Sequence, residues 1–279
     1  MRFPYLLLFL SLGACNQSGS GSAPAKASAP AAYTYPAPVK GKYSEINSGK
    51  FDLVDGIAND ANGGTVVYVT EKQIASPVLA DSTCAMAQAR SLALLRNSGY
   101  IQVRLNADGS ASYFEAGTPY HGQMIDRAGR AVKVGGGKGK EGRVEGSVTE
   151  KGHAQFDFDL PVTKREPPRV PTKDELFATY TKIRKAAIAK DLAALLSAQG
   201  FEAKQIEKIR GLAGIDADFA VHADRFMEPG APEEATIEPG TIRVGGKGKN
   251  SKGAAFFNFY FFAPCGERLV LIKIGENPQ

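Results

Sequence analysis

Alternation of apolar and polar residues marks several short segments of the chain as half-buried β-strands. In residues 154–162, phenylalanine and leucine alternate with Asp157 and Asp159, so these aspartates are expected to face water and not to act as a catalytic pair. Residues 100–105 also alternate, and the turn-forming NADG and a second short run follow them, which predicts a hairpin. The β-rich run TVVYVT at 65–70 predicts a further strand.

Between these strands, residues 81–99 have apolar residues at helical spacing. Ser82 or Asp81 can cap the first turn of the predicted helix, and Gly99 can end it. Its apolar side comprises Met86, Ala89, Leu92, Ala93 and Leu95.

The longest helical pattern runs from Thr172 to Gly200. It begins with TKDE, a capping box in which the Thr172 hydroxyl accepts from the amide of Glu175 and the Glu175 side chain reaches back. Its apolar residues face one side, while lysines face outward, so we expect this helix to pack on a sheet.

Two shorter helical stretches, about 202–212 and 217–227, come before three strand-like runs, and Asp216 can cap the second stretch. The middle run contains FFNFYFF at 256–262, in which only Asn258 interrupts the apolar residues. Such a strand needs cover on both faces. The helices can cover one face, and the other must meet the rest of the chain, a second copy or a partner protein. Cover within the chain is favoured because exposed apolar patches are normally small.

This order of elements predicts an α+β fold of two small domains, each with helices packed on an antiparallel sheet. A proline-rich stretch at 163–171 separates them, which places the domains at 51–163 and 164–279. Residues 15–50 are rich in Ser, Ala, Gly and Pro at their start and lack apolar periodicity there. We therefore expect them to form a disordered tether.

The N-terminus has the pattern of an export signal. Arg2 supplies positive charge, and the apolar run from Leu6 to Leu10 is far shorter than the roughly 20 residues that span a bilayer. Residues 1–14 are therefore predicted to be a signal peptide.

The signal ends in Leu12-Gly13-Ala14-Cys15, which resembles the lipobox of bacterial lipoproteins. By that resemblance, the chain is cut between Ala14 and Cys15, the Cys15 thiol carries a diacylglycerol, and the new amine is acylated with a fatty acid such as palmitate. Asn16 stands where aspartate would favour the inner membrane, which implies lipid anchoring in the outer membrane, facing the periplasm. The alternative is an ordinary secretory signal with an incidental cysteine.

Charge adds little to this interpretation. The chain carries a formal charge of +5, and cleavage after Ala14 removes Arg2 and no acidic residue, which leaves +4. The lysines are scattered and form no concentrated basic face with interleaved aromatic residues, so no nucleic-acid partner is expected.

Two cysteines remain after Cys15, and export would place them in an oxidising compartment. Three states stay open for Cys84 and Cys265: a disulfide between them, two separately buried thiols, or a reactive Cys84 at a helix start.

Residues that could carry catalysis or hold a metal are not grouped in the sequence. His121, His153 and His222 lie far apart and lack carboxylate or cysteine neighbours at ligand spacing. The Gly-Lys segments at 132–142 and 242–253 lack the spacing of a phosphate-binding loop. We therefore expect no metal, no cofactor and no enzymatic activity.

The C-terminal region, roughly 172–275, resembles the cystatin-like α+β cone of nuclear-transport-factor-type domains in bacterial lipoproteins. The resemblance rests on helices that come before an antiparallel meander and on the phrase AAIAKDLAALLS.

Together these features predict a lipid-anchored, periplasm-facing envelope lipoprotein. It would act as a non-enzymatic binding or structural module with a protein partner in the periplasm. The alternative is an immunity or inhibitor lipoprotein that neutralises a secreted toxin or hydrolase. An envelope enzyme is the minority hypothesis, because a catalytic site can be assembled by folding without a linear motif.

Overall fold

The computed structural model describes residues 30–45, 49–61, 63–118, 132–136, 142–150, 153–164, 169–223, 232–238, 241–249 and 255–278. The strands in these ranges are β1 (Val39–Glu45), β2 (Gly49–Leu53), β3 (Asp55–Ala61), β4 (Gly64–Thr70), β5 (Tyr100–Asn106), β6 (Ala111–Gly117), β7 (Val132–Gly136), β8 (Arg143–Glu150), β9 (Ala154–Thr163), β10 (Glu234–Glu238), β11 (Thr241–Lys249), β12 (Ala255–Cys265) and β13 (Arg268–Pro278). The helices are α1 (Ser76–Leu79), α2 (Ala85–Leu95), α3 (Lys173–Ile188), α4 (Leu192–Ala198), α5 (Ala203–Arg210) and α6 (Ile215–His222).

The first nine strands form one mixed sheet within the described ranges. Its order is β2-β1-β9-β3-β4-β5-β6, and β8 pairs with β9 while β7 pairs with β8. All neighbours are antiparallel except β3 and β9, which pair in parallel at Ala58–Val162 and Asn59–Thr163. The prediction of a purely antiparallel sheet is therefore wrong. The end of β9 extends beyond its pairing with β1, and there the Thr163 hydroxyl donates to the Ala58 carbonyl over 3.0 Å.

The strands of this sheet form a hydrophobic core of their own. Strand β9 joins the part of the sheet that contains β1, β2 and β8 to the part that contains β3–β6. Apolar side chains from both parts are buried together, among them Val39, Val67, Val103, Phe114, Phe156 and Leu160. The alternation predicted for β9 is confirmed, because Asp157 and Asp159 are exposed while the residues between and beside them are buried.

The second sheet is a separate antiparallel meander in the order β10-β11-β12-β13. It follows four helices, so the predicted order of helices and then antiparallel strands is confirmed. Strand β10, EATIE, is additional to the three predicted strands. The resemblance to the cystatin-like cone stays a prediction.

Helices from both halves of the chain share a second core. Leu92 and Leu94 of α2 are buried with Leu176 and Ile183 of α3, and Leu271 of β13 belongs to the same cluster. The elements on either side of the predicted boundary at 163–164 therefore pack against each other. The division into two domains stays a prediction.

The helix boundaries confirm some predicted signals and correct others. Thr172 forms the predicted capping box, in which its hydroxyl accepts from the Glu175 amide over 3.2 Å and its amide donates to the Glu175 carboxylate over 2.8 Å. The single helix to Gly200 is wrong. Lys190 adopts a positive φ of 52°, and the Asp191 side chain accepts from the Ala194 amide to begin α4.

The caps predicted for α2 and α6 are also wrong. Cys84 is the N-cap of α2, while the Ser82 hydroxyl accepts from the Cys84 amide in the turn before the helix. This helix ends at Leu95 and not at Gly99, because the chain turns away through Asn97 at a positive φ of 44°. Gly214, at φ 76°, precedes α6, so Asp216 lies in the first turn and does not cap it.

The disordered tether predicted for 15–50 extends too far. Residues from 30 onward are described, and β1 and the start of β2 lie inside the predicted tether. Val39 and Tyr43 alternate into the first core, and the Tyr33 amide donates to the Gly211 carbonyl over 2.9 Å. The residues before β1 are rich in Ser, Ala, Gly and Pro, and this composition led to a prediction of disorder that wrongly included β1. Residues 1–29 lie outside the described residues.

Strand β12 contains the apolar run FFNFYFF. Tyr260 and Phe262 are buried against the helices. On the other face, Arg243 stacks 4.4 Å from the ring centre of Phe259, and the Lys273 ammonium lies 5.8 Å from that of Phe261. These rings are only partly exposed, so the chain covers much of this face itself. Cations on the neighbouring strands provide cover that the hydrophobic pattern does not indicate.

None of the helices in the described ranges is long and apolar enough to cross a membrane.

Candidate functional site

Cys84 and Cys265 form a disulfide bond with their Cα atoms 5.3 Å apart. The bond joins the start of α2 to the end of β12 across 181 residues of sequence. Both cysteines are buried together with Ala87 and Val270. Of the three states considered from the sequence, the structure has the disulfide.

The other site residues predicted from the sequence do not come together. Ala14, Cys15 and His121 lie outside the described residues. The Nδ1 atom of His153 is 3.1 Å from the Ser44 carbonyl oxygen, and His222 is the last residue of α6. The described ranges contain no group of three or more side chains that could hold a metal ion.

A buried carboxyl group, Asp55, ties three segments together. It accepts hydrogen bonds from the hydroxyls of Tyr35 and Ser76. It also accepts from the amides of Ile74 and Gly56 over 2.6 and 2.8 Å. Burial raises the pKa of Asp55 above its ordinary value, and these hydrogen bonds oppose the rise. The groups around Asp55 all donate hydrogen bonds to it, so we assign Asp55 a structural role. It links the segment before β1 to β3 and α1.

A second polar cluster joins the two halves of the chain. Asp218 of α6 forms ion pairs with Arg96 and Lys72, each over 2.9 Å. The Arg96 guanidinium also donates to the carbonyls of Gln73 and Ala213, both over 2.7 Å. The charged groups of this cluster are paired with one another or with backbone carbonyls, so the cluster has a structural role.

A small, partly open pocket differs from both clusters. It lies where the face of β4–β6, helix α2 and strand β13 meet, and its volume is about 180 Å³. Its walls are Tyr68, Arg90, Tyr100, Glu115, Thr118, Ile272 and Lys273.

Tyrosines form one wall of the pocket and fix its acidic group. The rings of Tyr68 and Tyr100 stack with their centres 5.3 Å apart. The Tyr100 and Tyr113 hydroxyls donate to the two oxygens of Glu115. Burial raises the pKa of Tyr68 and of Tyr100 above the ordinary range, so both hydroxyls stay protonated at neutral pH and act as donors.

Two polar groups that line the pocket differ from Glu115 in their hydrogen bonding. Within the described part of the chain, neither the Tyr68 hydroxyl nor the Arg90 guanidinium makes a hydrogen bond or ion pair. Tyr68 is only 2% exposed. Arg90 is half-exposed, and neither the Tyr68 hydroxyl oxygen nor an Arg90 nitrogen is among the fully buried polar atoms of the described ranges that lack a partner. These two groups are therefore available to a bound molecule.

A wider groove continues from the pocket along the same face of the sheet. Arg90 lines both, and the groove of about 540 Å³ is also lined by Asp60, Gln102 and Arg104.

Two local features of the sequence contribute to this pocket, although they do not predict it. Tyr100, Gln102 and Arg104 share one face of β5 because alternate residues point the same way. Arg90 follows Met86 by four residues, which places a charge beside the apolar side of α2. Neither feature predicts that β13 contributes to the pocket, because that contact depends on how the two sheets pack.

Comparisons of the chain with protein-family models, with curated proteins and with solved structures found no match.

Proposed function

We propose that the protein is a lipid-anchored envelope lipoprotein whose folded body acts as a non-enzymatic binding module. Cys15 carries the lipid in the outer membrane, and the body faces the periplasm. The pocket between the sheets binds a small molecule.

Two features support the placement. The first is the resemblance of Leu12–Cys15 to a lipobox, with an apolar run of signal-peptide length before it. The second is the Cys84–Cys265 bond, because disulfides persist in exported proteins and are rare in reducing compartments. The residues from Cys15 to residue 30 are rich in Ser, Ala, Gly and Pro, and they would form a tether between the lipid and the folded body.

The observation that supports binding is that two donors lining the pocket, the Tyr68 hydroxyl and the half-exposed Arg90 guanidinium, make no hydrogen bond or ion pair within the described part of the chain. The exposed large apolar side chains in the described ranges, Val170, Ile188 and Val221, belong to separate segments. A small ligand therefore fits this surface better than a protein docked on a broad apolar patch.

The binding role predicts that the full-length protein retains a small molecule from an envelope extract. Native mass spectrometry of the detergent-solubilised protein after incubation with that extract should show a bound species, and Arg90→Met should lose it. Arg104→Met is the matched control because it removes a positive charge from nearby strand β5, at a residue that does not line the pocket. A wild-type protein that binds no small molecule from the extract would contradict the binding role.

A further inference from the structure

The dimensions of the pocket restrict its ligand to a small molecule. Its volume of about 180 Å³ lies below the range of roughly 300–1,000 Å³ that is typical of drug-sized ligand sites. It corresponds to about six water molecules at roughly 30 Å³ each. A nucleotide or a folded peptide does not fit inside it, whereas a short organic acid does.

The charges of the pocket favour an anion. Arg90 and Lys273 contribute two positive charges, although the Lys273 ammonium also lies 5.8 Å from the ring centre of Phe261, and Glu115 contributes one negative charge. The two oxygens of Glu115 already accept from Tyr100 and Tyr113. The groups that remain for a ligand are therefore mainly donors, and the net charge of the lining matches a single negative charge.

The geometry of the donors favours a carboxylate. The guanidinium of Arg90 presents a planar pair of N–H groups that matches the two oxygens of a carboxylate. The Tyr68 hydroxyl, which makes no hydrogen bond within the described residues, supplies a further donor at the pocket lining. The stacked rings of Tyr68 and Tyr100 and the side chain of Ile272 add apolar walls, which suit a hydrocarbon group. Inorganic phosphate lacks such a group and brings more negative charge close to Glu115.

We propose that this pocket binds a small organic monocarboxylate, with Arg90, Lys273 and Tyr68 holding the carboxylate and the tyrosine rings and Ile272 contacting the carbon chain. The inference rests on the proposed binding function and names the chemical class of its ligand.

Calorimetric titration of the full-length, detergent-solubilised protein with propionate tests this inference. Propionamide, which has nearly the same shape without the charge, and inorganic phosphate are the comparison probes. Propionate is expected to bind, and propionamide and phosphate are expected to bind at least about tenfold more weakly. Tyr68→Phe and Arg90→Met should each weaken propionate binding about tenfold or more, while Arg104→Met should bind as the wild type does.

The melting temperature of each variant separates binding from folding. Tyr68→Phe removes a hydroxyl that makes no hydrogen bond within the described ranges, so its melting temperature should not fall although its affinity does. The inference is overturned if propionate does not bind at about 10 mM, where a millimolar site would be filled. Equal binding of phosphate or propionamide, or an equal loss in Arg104→Met, would also overturn it. If the extract yields a ligand and propionate fails, the carboxylate assignment alone is wrong; if both fail, the binding function fails too.

Discussion

Replacing Cys84 and Cys265 together by alanine is expected to lower the free energy of unfolding by about 2–5 kcal/mol. The bond closes a loop of 181 residues, and a cross-link over a long loop removes much conformational freedom from the unfolded chain. Domains are typically stable by only about 5–15 kcal/mol. Loss of the bond should therefore appear as a large shift of the urea midpoint.

The double variant avoids a free thiol that could form new cross-links. Urea unfolding followed by circular dichroism measures the effect, with the wild type, which keeps the bond and the same N-terminus, as the control. Adding a reductant to the wild type should reproduce the loss. A double variant as stable as the control would show that the bond contributes nothing to the fold.

Replacement of Asp55 by alanine is expected to cost about 3–5 kcal/mol, because several buried donors lose their acceptor at once. The hydroxyls of Tyr35 and Ser76 and the amides of Ile74 and Gly56 all donate to this side chain. Each unpaired donor costs roughly 1–3 kcal/mol when it stays dry, and water that enters the vacated space recovers part of the loss.

Asp52 provides the matched control for this prediction. It lies in β2 close to Asp55 in the sequence but is exposed. Asp52→Ala should change the free energy of unfolding by no more than about 0.5 kcal/mol. If Asp55→Ala proved as stable as Asp52→Ala in the same urea titration, Asp55 would not hold the three segments together.

Local patterns predicted the elements whose structure depends mainly on their own residues. The alternation around Asp157 and Asp159, the hairpin formed by β5 and β6, and the capping box at Thr172 are all observed. In each case the signal and the structure it produces lie within the same short segment, so no distant contact is needed to fix the outcome.

Predictions were wrong where a stronger local or distant contact decided the outcome. Asp191 caps a new helix inside the segment predicted as one helix. The segment before β1 is ordered in part because Tyr33 bonds to the Gly211 carbonyl and Tyr35 bonds to Asp55. Such partners are remote in sequence, and composition alone indicates a disordered segment.

The candidate pocket could not be predicted because its lining comes from separate elements. Tyr68, Tyr100 and Glu115 come from neighbouring strands of one sheet, Arg90 from α2 and Lys273 from the other sheet. Residue spacing places the tyrosines on one face of their strands. The pocket forms only when α2 and β13 pack on that face, and within the described residues Arg90 and Tyr68 make no hydrogen bond there.

Lipid labelling at Cys15 tests the proposed anchoring most directly. Bacteria that produce the full-length chain are grown with labelled palmitate, and their membrane and soluble fractions are compared for the wild type and Cys15→Ala. The double alanine variant at Cys84 and Cys265 controls for loss of a cysteine elsewhere. The proposal predicts that the wild type and the double variant are labelled and membrane-bound, and that Cys15→Ala is unlabelled and no longer held by lipid. Unchanged labelling and fractionation of Cys15→Ala would contradict lipid anchoring at this residue.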